Sequence, residues 1–350
     1  MKRTEVLIVD DSATVRQALR AVIEKTRDMA VQDTAMDPIF AMAKMNKRWP
    51  DVIVLDLEMP RMDGLAFLRQ VMATRPTPVV ICSSLTSRGT ETAMQAMAAG
   101  AMAVFSKEDL GIGSDATKGD ALVLAIREAA GARIARRPGV DPSPSALVPP
   151  VREAAPTLSV TTDRLVAIGT STGGTQALEF ILQRLPRTCP GLVVVQHMPP
   201  LFTTAFAQRL DKLCEVEVLE AQGGERIIPG RVLIAPGGRH LVIKRDGATY
   251  VSAILDAPPV NRHAPSVDVL FRSVARHAGR NATGFLLTGM GDDGARGLLE
   301  LRTAGARTYA QDEASSVVFG MPKEGIALGG AEQVIALDRV PRAICQAAGP

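Results

Sequence analysis

The sequence predicts an α/β protein of two domains, each a mainly parallel sheet flanked by helices. The chain has 350 residues, which is enough for two ordinary domains. Short apolar runs alternate with helical patterns in both halves, as in parallel sheets with crossover helices. Six prolines fall within residues 138–160, a composition typical of a semi-rigid spacer. We therefore predict domains over residues 1–137 and 161–350, joined by a Pro-rich linker over 138–160.

The individual elements follow from the spacing of the apolar residues. In the first half, buried strands are predicted at residues 6–9, 52–55, 79–81 and 103–105, and helices at 15–25, 65–73 and 121–137. In the second half, strands are predicted at 165–168, 192–195, 232–235 and 284–287, with a helix at 267–275 and a hairpin insert over 241–254. Buried parallel strands read as continuous apolar runs in this way.

Composition excludes several classes of function. Forty basic residues against 37 acidic ones give a net charge of +3, with no clustered basic stripe, which disfavours nucleic-acid binding. No uncharged apolar run reaches the roughly 18 to 20 residues that a membrane span needs, and the N-terminus lacks a signal-peptide pattern. The four cysteines are scattered, without metal-type spacing, as expected of reduced thiols in a cytoplasmic protein.

Acidic residues follow two strands of the first half. Asp10 and Asp11 come directly after residues 6–9, and Asp56 comes after residues 52–55. Because the carboxyl ends of parallel strands meet at one edge, we expect these carboxylates to converge and to need a cation such as Mg²⁺. Ser83 and Lys107 follow two further strands and could add a hydroxyl and an ammonium. This set suits phosphoryl transfer to an aspartate.

The first half resembles the receiver domain of two-component response regulators. The matching segments are VLIVDDS at 6–12, VLDLEMPRMDG at 54–64 and Ser106-Lys107. The resemblance implies a flavodoxin-like fold and phosphorylation at Asp56. It also implies Mg²⁺ held by Asp10, Asp11, Asp56 and the Glu58 carbonyl, with Ser83 and Lys107 as the switch pair. Two positions depart from the receiver pattern: Glu108 stands where receivers usually have proline, and Val104 where many have an aromatic residue.

A glycine-rich turn follows the first strand of the second half. In GTSTGG at 169–174, the spacing Gly-x-Ser-x-Gly around Ser171 is the frame of a nucleophile elbow, which exposes a serine at a sharp, strained turn. The following helix N-terminus would offer backbone donors to an oxyanion. A phosphate-binding loop is the rival interpretation, but the P-loop lysine and the full dinucleotide fingerprint are missing.

Histidine and aspartate partners for this serine follow other strands. His197 comes just after residues 192–195 and is favoured as the base over its main rival, His263. His240 lies in the hairpin region, and His277 is expected at the surface. Asp292 and Asp293 follow residues 284–287, and on spacing alone either could orient the imidazole. The order Ser, His, Asp differs from the Ser, acid, His order of α/β-hydrolases.

The second half resembles the catalytic domain of the chemotaxis protein-glutamate methylesterase (CheB) family. The matching segments are IGTSTGG at 168–174, QHMPP at 196–200, residues 228–241, PPVNRH at 258–263 with PSVDVL at 265–270, and LTGMGDDG at 287–294. The resemblance places the family's catalytic residues on Ser171, His197 and Asp293. The oxyanion would be held by the backbone of Thr172 and Met290. It also implies a Rossmann-like, doubly wound fold.

Together the two resemblances imply a phosphorylation-activated serine esterase in the cytoplasm. The implied substrates are glutamate γ-methyl esters on chemoreceptors, with glutamine deamidation as a second activity. A chemotaxis histidine kinase would be the phosphodonor. Mg²⁺ is expected in the receiver and no cofactor in the esterase site, and neither nucleic acid nor membrane insertion is expected. Two alternatives stay open at this point: a receiver-regulated scaffold without activity, and a general carboxylesterase.

Overall fold

The computed structural model describes residues 3–59, 63–84, 86–110, 119–132 and 164–347. The predicted linker over 138–160 lies outside the described residues, and so do both proposed domain boundaries. On either side of it, the chain forms a parallel sheet covered by helices. The predicted fold class is confirmed.

The first half contains a five-stranded parallel sheet with the order β2-β1-β3-β4-β5. Its strands are β1 (Thr4–Val9), β2 (Met29–Ala35), β3 (Val52–Leu55), β4 (Val79–Ser83) and β5 (Ala103–Ser106). Its helices are α1 (Ala13–Glu24), α2 (Pro38–Lys47), α3 (Gly64–Thr74), α4 (Ser87–Ala98) and α5 (Asp120–Ala130). This is the flavodoxin-like strand order, in which ligands bind at the carboxyl ends of the strands.

The helices of the first half begin and end at recognisable residues. Ser12, Asp37 and Asp63 cap α1, α2 and α3, because each side chain accepts a hydrogen bond from a backbone N–H of the first turn. Helix α5 ends at Ala130, before Gly131, and is shorter than the predicted helix over 121–137. The basic end predicted for that helix falls mostly on residues 133–137, which lie outside the described residues.

The second half contains a seven-stranded parallel sheet and a separate hairpin. The sheet has the order β14-β13-β12-β6-β7-β9-β8, and β10 pairs with β11 antiparallel. The strands are β6 (Leu165–Thr170), β7 (Gly191–Gln196), β8 (Glu217–Glu220), β9 (Arg231–Ile234), β10 (His240–Asp246), β11 (Thr249–Leu255), β12 (Ala282–Leu286), β13 (Arg307–Gln311) and β14 (Gln333–Ile335). The helices are α6 (Gly174–Leu182), α7 (Phe202–Leu213), α8 (Val267–His277), α9 (Ala295–Thr303), α10 (Met321–Ala327) and α11 (Val340–Gln346).

The order in which successive strands are added to the second sheet reverses at β6. It pairs with β7 on one side and with β12, far later in the chain, on the other. The crossover connections therefore leave β6 towards opposite edges, which opens a crevice at its carboxyl end. Every residue of β6 and β7 is buried, so the segments that follow them start from a rigid core.

The two halves are in direct contact. Helix α4 of the first half packs against α6 and α7 of the second, and one hydrophobic cluster contains Met94 and Met97 together with Leu178 and Phe206. Gln176 Nε2 donates to the carbonyl of Met97 at 2.8 Å. This contact brings the receiver-like half to the carboxyl end of β6. In the part of the chain that is described, no helix is both long and apolar enough to cross a bilayer.

Candidate active site

Ser171 lies at the carboxyl end of β6, in the turn that leads to α6. The glycines of this turn are required by close approach, since a Cβ on Gly169 would lie 2.1 Å from Val267 Cγ1 and one on Gly173 would lie 2.5 Å from Val317 Cβ. Gly173 has φ +80°, whereas Ser171 is not in the left-handed region. The sequence predicted a strained serine elbow, and the structure places the left-handed residue at Gly173 instead.

Backbone amides close to Ser171 are available to a ligand. Gly289 lies directly against the serine, since a Cβ on Gly289 would be 2.8 Å from Ser171 Cβ, and Met290 follows it. Neither the Thr172 N–H nor the Met290 N–H donates to another described residue. Two free donors beside a serine are what an oxyanion site requires. The assignment of Thr172 and Met290 to that role stays a prediction.

His197 follows β7 and is hydrogen-bonded to Asp293. Its Nε2 lies 2.8 Å from Asp293 Oδ2. Gln196 links the backbone of His197 to that of Ser171, because its Nε2 donates to the carbonyl of each residue at 3.0 Å. Since Nε2 carries the proton towards the carboxylate, the neutral imidazole presents the lone pair of Nδ1. This is the arrangement of a histidine base oriented by an acid.

Asp293 is a buried anion surrounded by donors. Besides His197, it accepts hydrogen bonds from Asn261 Nδ2 at 2.8 Å, Ser266 Oγ at 2.7 Å and Val267 N at 2.7 Å. The last comes from the first turn of α8, where the helix dipole favours negative charge. Burial alone would raise the pKa of Asp293, but these donors and His197 hold it well below its ordinary value. Asp293 therefore stays ionised.

The structure distinguishes the two adjacent acids that spacing could not. Asp292 is exposed, whereas Asp293 is 1% exposed and points to His197. The glycines on either side of the pair, Gly291 and Gly294, have φ of +85° and +92° and turn the chain at this point. The choice of Asp293, which the sequence supported only by resemblance, agrees with the geometry.

His263, the rival base, lies against His197 and is not bonded to the acid. The two rings stack with centroids 3.7 Å apart and an interplanar angle of 9°. Burial lowers the pKa of His263 to about 3, and the neighbouring His197 adds to this effect. His263 is therefore neutral near pH 7, and its uncharged ring packs face to face on the ring of His197. The remaining two histidines lie elsewhere. His240 accepts a hydrogen bond from the Ser266 N–H at Nδ1, and its Nε2 is hydrogen-bonded to the carbonyl of Pro258. His277 is the last residue of α8 and is half-buried.

Ser171 and His197 line one cavity of about 800 Å³. His197 Nδ1 is buried and has no hydrogen-bond partner among the described residues. Within the same residues, no hydrogen bond joins Ser171 Oγ to the imidazole. Hydrogen bonds of this kind are often long without substrate and tighten when it binds. Nδ1 is therefore available to accept a proton.

The acidic residues of the first half converge as predicted. Oxygens of Asp10, Asp11 and Asp56 lie within 4.8 Å of one another, and Lys107 Nζ lies 2.9 Å from Asp10 and 2.7 Å from Asp56. Burial raises the pKa of Asp56, although the hydrogen bond from Lys107 opposes this shift. Three crowded carboxylates with one lysine leave excess negative charge. Hard oxygen ligands in this arrangement fit Mg²⁺.

Glu58 and Ser83 complete this end of the first sheet. The Glu58 N–H donates to Asp56 Oδ1 at 3.1 Å, so the backbone of Glu58 lies beside the carboxylate. Ser83 is the last residue of β4, is fully buried, and contacts the carbonyl of Gly89 at 3.4 Å. Val104, one of the two positions that depart from the receiver pattern, is buried. Val104 and its neighbour Phe105 both line the cavity that contains Ser171. Metal ligation by the Glu58 carbonyl stays a prediction.

Sequence reasoning missed one residue at this cavity. Glu128 belongs to α5 of the first half, yet its Oε2 accepts a hydrogen bond from Thr172 Oγ1 of the second. Its side chain is 6% exposed. Burial raises the pKa of Glu128, and the Thr172 hydroxyl and His197 only partly oppose this. The only signal in the sequence is a glutamate beside the apolar positions of α5, which is also typical of a solvent-facing residue.

Fold and site together define a two-part α/β protein, with a receiver-type half and a half that carries a serine–histidine–aspartate site. The CheB methylesterase family profile matches residues 166–344, and the response regulator receiver domain profile matches residues 6–110. The chain belongs to the CheB methylesterase family. Both resemblances stated from the sequence are thereby confirmed.

Relatives extend this similarity over nearly the whole chain. A protein of Chromobacterium violaceum named protein-glutamate methylesterase/protein-glutamine glutaminase 2 is 57% identical, over 98% of this chain and 99% of its own length. A protein of Xanthomonas oryzae pv. oryzae with the same name, numbered 1, is 56% identical over 96% of this chain and 99% of its own. The crystal structure of the Thermotoga maritima CheB methylesterase catalytic domain covers 52% of this chain and 97% of its own, with 38% identity and a TM-score of 0.51.

Proposed function

We propose that this protein hydrolyses glutamate γ-methyl esters on the cytoplasmic helices of chemoreceptors and releases methanol. We include deamidation of receptor glutamines as a second activity. The observation that carries the proposal is the pairing of His197 Nε2 with Asp293 at 2.8 Å, which leaves Nδ1 without a hydrogen-bond partner among the described residues, in a residue that lines the same cavity as Ser171. The names of the relatives in Chromobacterium and Xanthomonas support the substrate class.

In the proposed reaction, Ser171 is the nucleophile and His197 the base. Ser171 Oγ attacks the ester carbonyl while its proton passes to His197 Nδ1, and the ionised Asp293 stabilises the imidazolium. The tetrahedral intermediate collapses, the C–O bond to methanol breaks, and His197 returns the proton to the leaving oxygen. Water, deprotonated by His197, then releases glutamate from the acyl-serine. For a glutamine, the leaving group is ammonia.

The N–H groups of Thr172 and Met290 are the proposed donors to the oxyanion. Both amides lie beside Ser171 and donate to no other described residue, so neither has to break a hydrogen bond to receive the charge. Preorganised donors of this kind stabilise the transition state without reorganisation, and losing one costs roughly 10² to 10³ in turnover in comparable sites.

We further propose that the receiver half controls this reaction. Asp56 would accept the phosphoryl group from a chemotaxis histidine kinase, and Asp10, Asp11 and Asp56 would hold the Mg²⁺ ion. When bound, the ion neutralises charge on the transferring phosphoryl oxygens. Lys107, already 2.7 Å from Asp56, would move to the new phosphoryl group, and Ser83 would follow. The proposal includes a cytoplasmic location, where kinase and receptor helices would both be accessible.

The contact between the halves supports inhibition by the unphosphorylated receiver. Phe105, Val123 and Glu128 of the first half line the same cavity as Ser171 and His197. A receptor helix could not reach Ser171 without displacing this face. Phosphorylation of Asp56, at the carboxyl ends of the strands of the first sheet, would repack the domain and weaken the contact.

Methanol release from methylated receptor tests the proposal. We expect wild type to release methanol slowly, and faster with a small-molecule phosphodonor and Mg²⁺. Ser171→Ala should lose activity by roughly 10⁶-fold, as when a serine nucleophile is removed. Asp56→Ala should retain the slow rate and lose the stimulation. A receptor-specific enzyme should turn over free methyl esters poorly. Equal methanol release by wild type and Ser171→Ala would overturn the proposal.

A further inference from the structure

Glu128 is a buried glutamate that comes from one half of the protein and enters the candidate active site of the other. It lies on α5, and its hydrogen-bond partner among the described residues is the hydroxyl of Thr172, the residue next to Ser171. No described lysine or arginine forms an ion pair with it. Both Glu128 and Thr172 line the cavity that also contains Ser171 and His197.

We propose that Glu128 is a tethered analogue of the reaction product, a helix-borne glutamate that occupies the subsite for the glutamyl side chain of the substrate. This inference depends on the proposed function, because it takes its meaning from hydrolysis of glutamyl esters. It assigns the Thr172 hydroxyl as the side-chain donor that positions the glutamyl carbonyl next to Ser171.

The chemistry of Glu128 matches the proposed substrate closely. The product of ester hydrolysis is a glutamate on a receptor helix, and Glu128 is a glutamate on a helix of eleven residues. Burial raises its pKa, which favours the neutral acid. A neutral carboxyl group shares with the γ-methyl ester its lack of charge and its carbonyl acceptor, so a hydroxyl that donates to one can donate to the other.

A purely structural role explains Glu128 less well. Burying a carboxyl group with one hydroxyl partner and no cation costs free energy, because it loses its hydration. Gln176 shows how the same interface is fastened elsewhere: its amide donates to the carbonyls of Met97 and Ala101, at 2.8 and 3.4 Å, and is only half-buried. An apolar side chain at position 128 would satisfy the interface without this cost.

The test is a kinetic series at position 128 in the full-length, unphosphorylated protein, with methylated receptor as substrate. An occupied subsite raises the apparent KM in inverse proportion to the fraction of molecules that are open, and leaves kcat unchanged. If the site is closed about nine-tenths of the time, Glu128→Ala should lower KM roughly tenfold. Glu128→Asp, which is one methylene too short to reach Thr172, should do the same. Glu128→Gln keeps the length and the acceptor oxygen and should retain the wild-type KM.

Two controls separate this inference from simpler effects. Glu91→Ala removes an exposed glutamate from α4 of the same domain and should change nothing. Gln176→Ala loosens the interface away from Ser171; if it lowers KM as much as Glu128→Ala, the effect is one of general loosening and the inference is wrong. Equal KM for the Ala, Asp and Gln variants would also overturn it. Absence of methanol release even from phosphorylated wild type would instead remove the proposed function itself.

Discussion

Asp56 and Asp293 both lie beyond the carboxyl ends of parallel strands, and each is 1% exposed. Their pKa values nevertheless move in opposite directions. Burial raises the pKa of Asp56, which has Lys107 on one side and the like charge of Asp10 on the other. Asp293 is equally buried, but His197 and three further close donors keep its pKa low. Depth of burial therefore does not decide ionisation; the number of donors does.

The comparison also separates two kinds of site. The first is incomplete without a cation, because its carboxylates repel each other. In the second, one carboxylate is matched by preorganised donors. A site of the first kind can respond to metal and phosphoryl group, whereas a site of the second kind holds its geometry between turnovers.

Asp293→Asn provides the largest expected effect. The amide cannot accept the full set of hydrogen bonds and no longer stabilises the imidazolium, so kcat for methanol release should fall roughly 10⁴-fold, as in a comparable triad. Asp292→Asn, next to it but exposed, should stay within about twofold of wild type. Similar losses in both variants would contradict the assignment of Asp293.

Removal of metal should affect only the first site. With a small-molecule phosphodonor present, a chelator should abolish the stimulated part of methanol release, because Asp10, Asp11 and Asp56 need the cation. The slow basal rate should persist, since the cavity around Ser171 uses side chains and backbone amides. The measurement is the rate with and without EDTA, restored by Mg²⁺. A basal rate that also falls with chelation would contradict the distinction between the sites.

His263 gives the smallest expected effect, on stability. Its pKa is lowered from 6.5 to about 3, so above pH 6.5 it is neutral in both folded and unfolded chains and contributes nothing. Below that pH, His263 binds a proton in the unfolded chain but stays neutral in the folded chain. The free energy of unfolding should therefore decrease by up to about 1.4 kcal/mol for each unit by which the pH is lowered. Asp293, with its low pKa, acts in the same direction only below about pH 4.

Between pH 6.5 and pH 5, the difference between wild type and a variant without this imidazole reports on His263, because the contributions of groups common to both chains, such as Asp56 and Glu128 with their raised pKa values, cancel. Urea unfolding at the two pH values should show a loss in wild type that is smaller in His263→Gln by about 1 to 2 kcal/mol. His277→Gln, half-buried at the end of α8, is the matched control. If His263→Gln loses as much stability as wild type across this window, the neutral stack on His197 is wrong.

Much of the fold follows from local sequence because its central strands are continuous apolar runs. Strands β1, β3, β6 and β7 are nearly or wholly buried and were predicted within two residues. The edge strands β2, β8 and β14 were not predicted, and neither was the inner strand β13. The residues of the three edge strands are mostly half-buried or exposed, so no apolar run marks them. Strand β13 is mostly buried, but its sequence, RTYAQ, contains no continuous apolar run.

Parts of the site depend on contacts that no local pattern encodes. Ser171 and His197 could be predicted because they directly follow β6 and β7, which are neighbouring strands. The choice between Asp292 and Asp293 depends on the turn made by Gly291 and Gly294. Glu128 could not be predicted at all, since its partner Thr172 is 44 residues further along the chain, beyond the linker.

Met94 and Met97 are apolar side chains that the contact between the halves keeps out of water. Each is 4% exposed, on the helix that packs against α6 and α7. When the halves separate, thioether side chains enter water, at a cost of very roughly 1.5 to 3 kcal/mol for each one fully exposed. A single surface ion pair contributes less than this. Burial of these apolar side chains therefore favours the closed arrangement of the two halves.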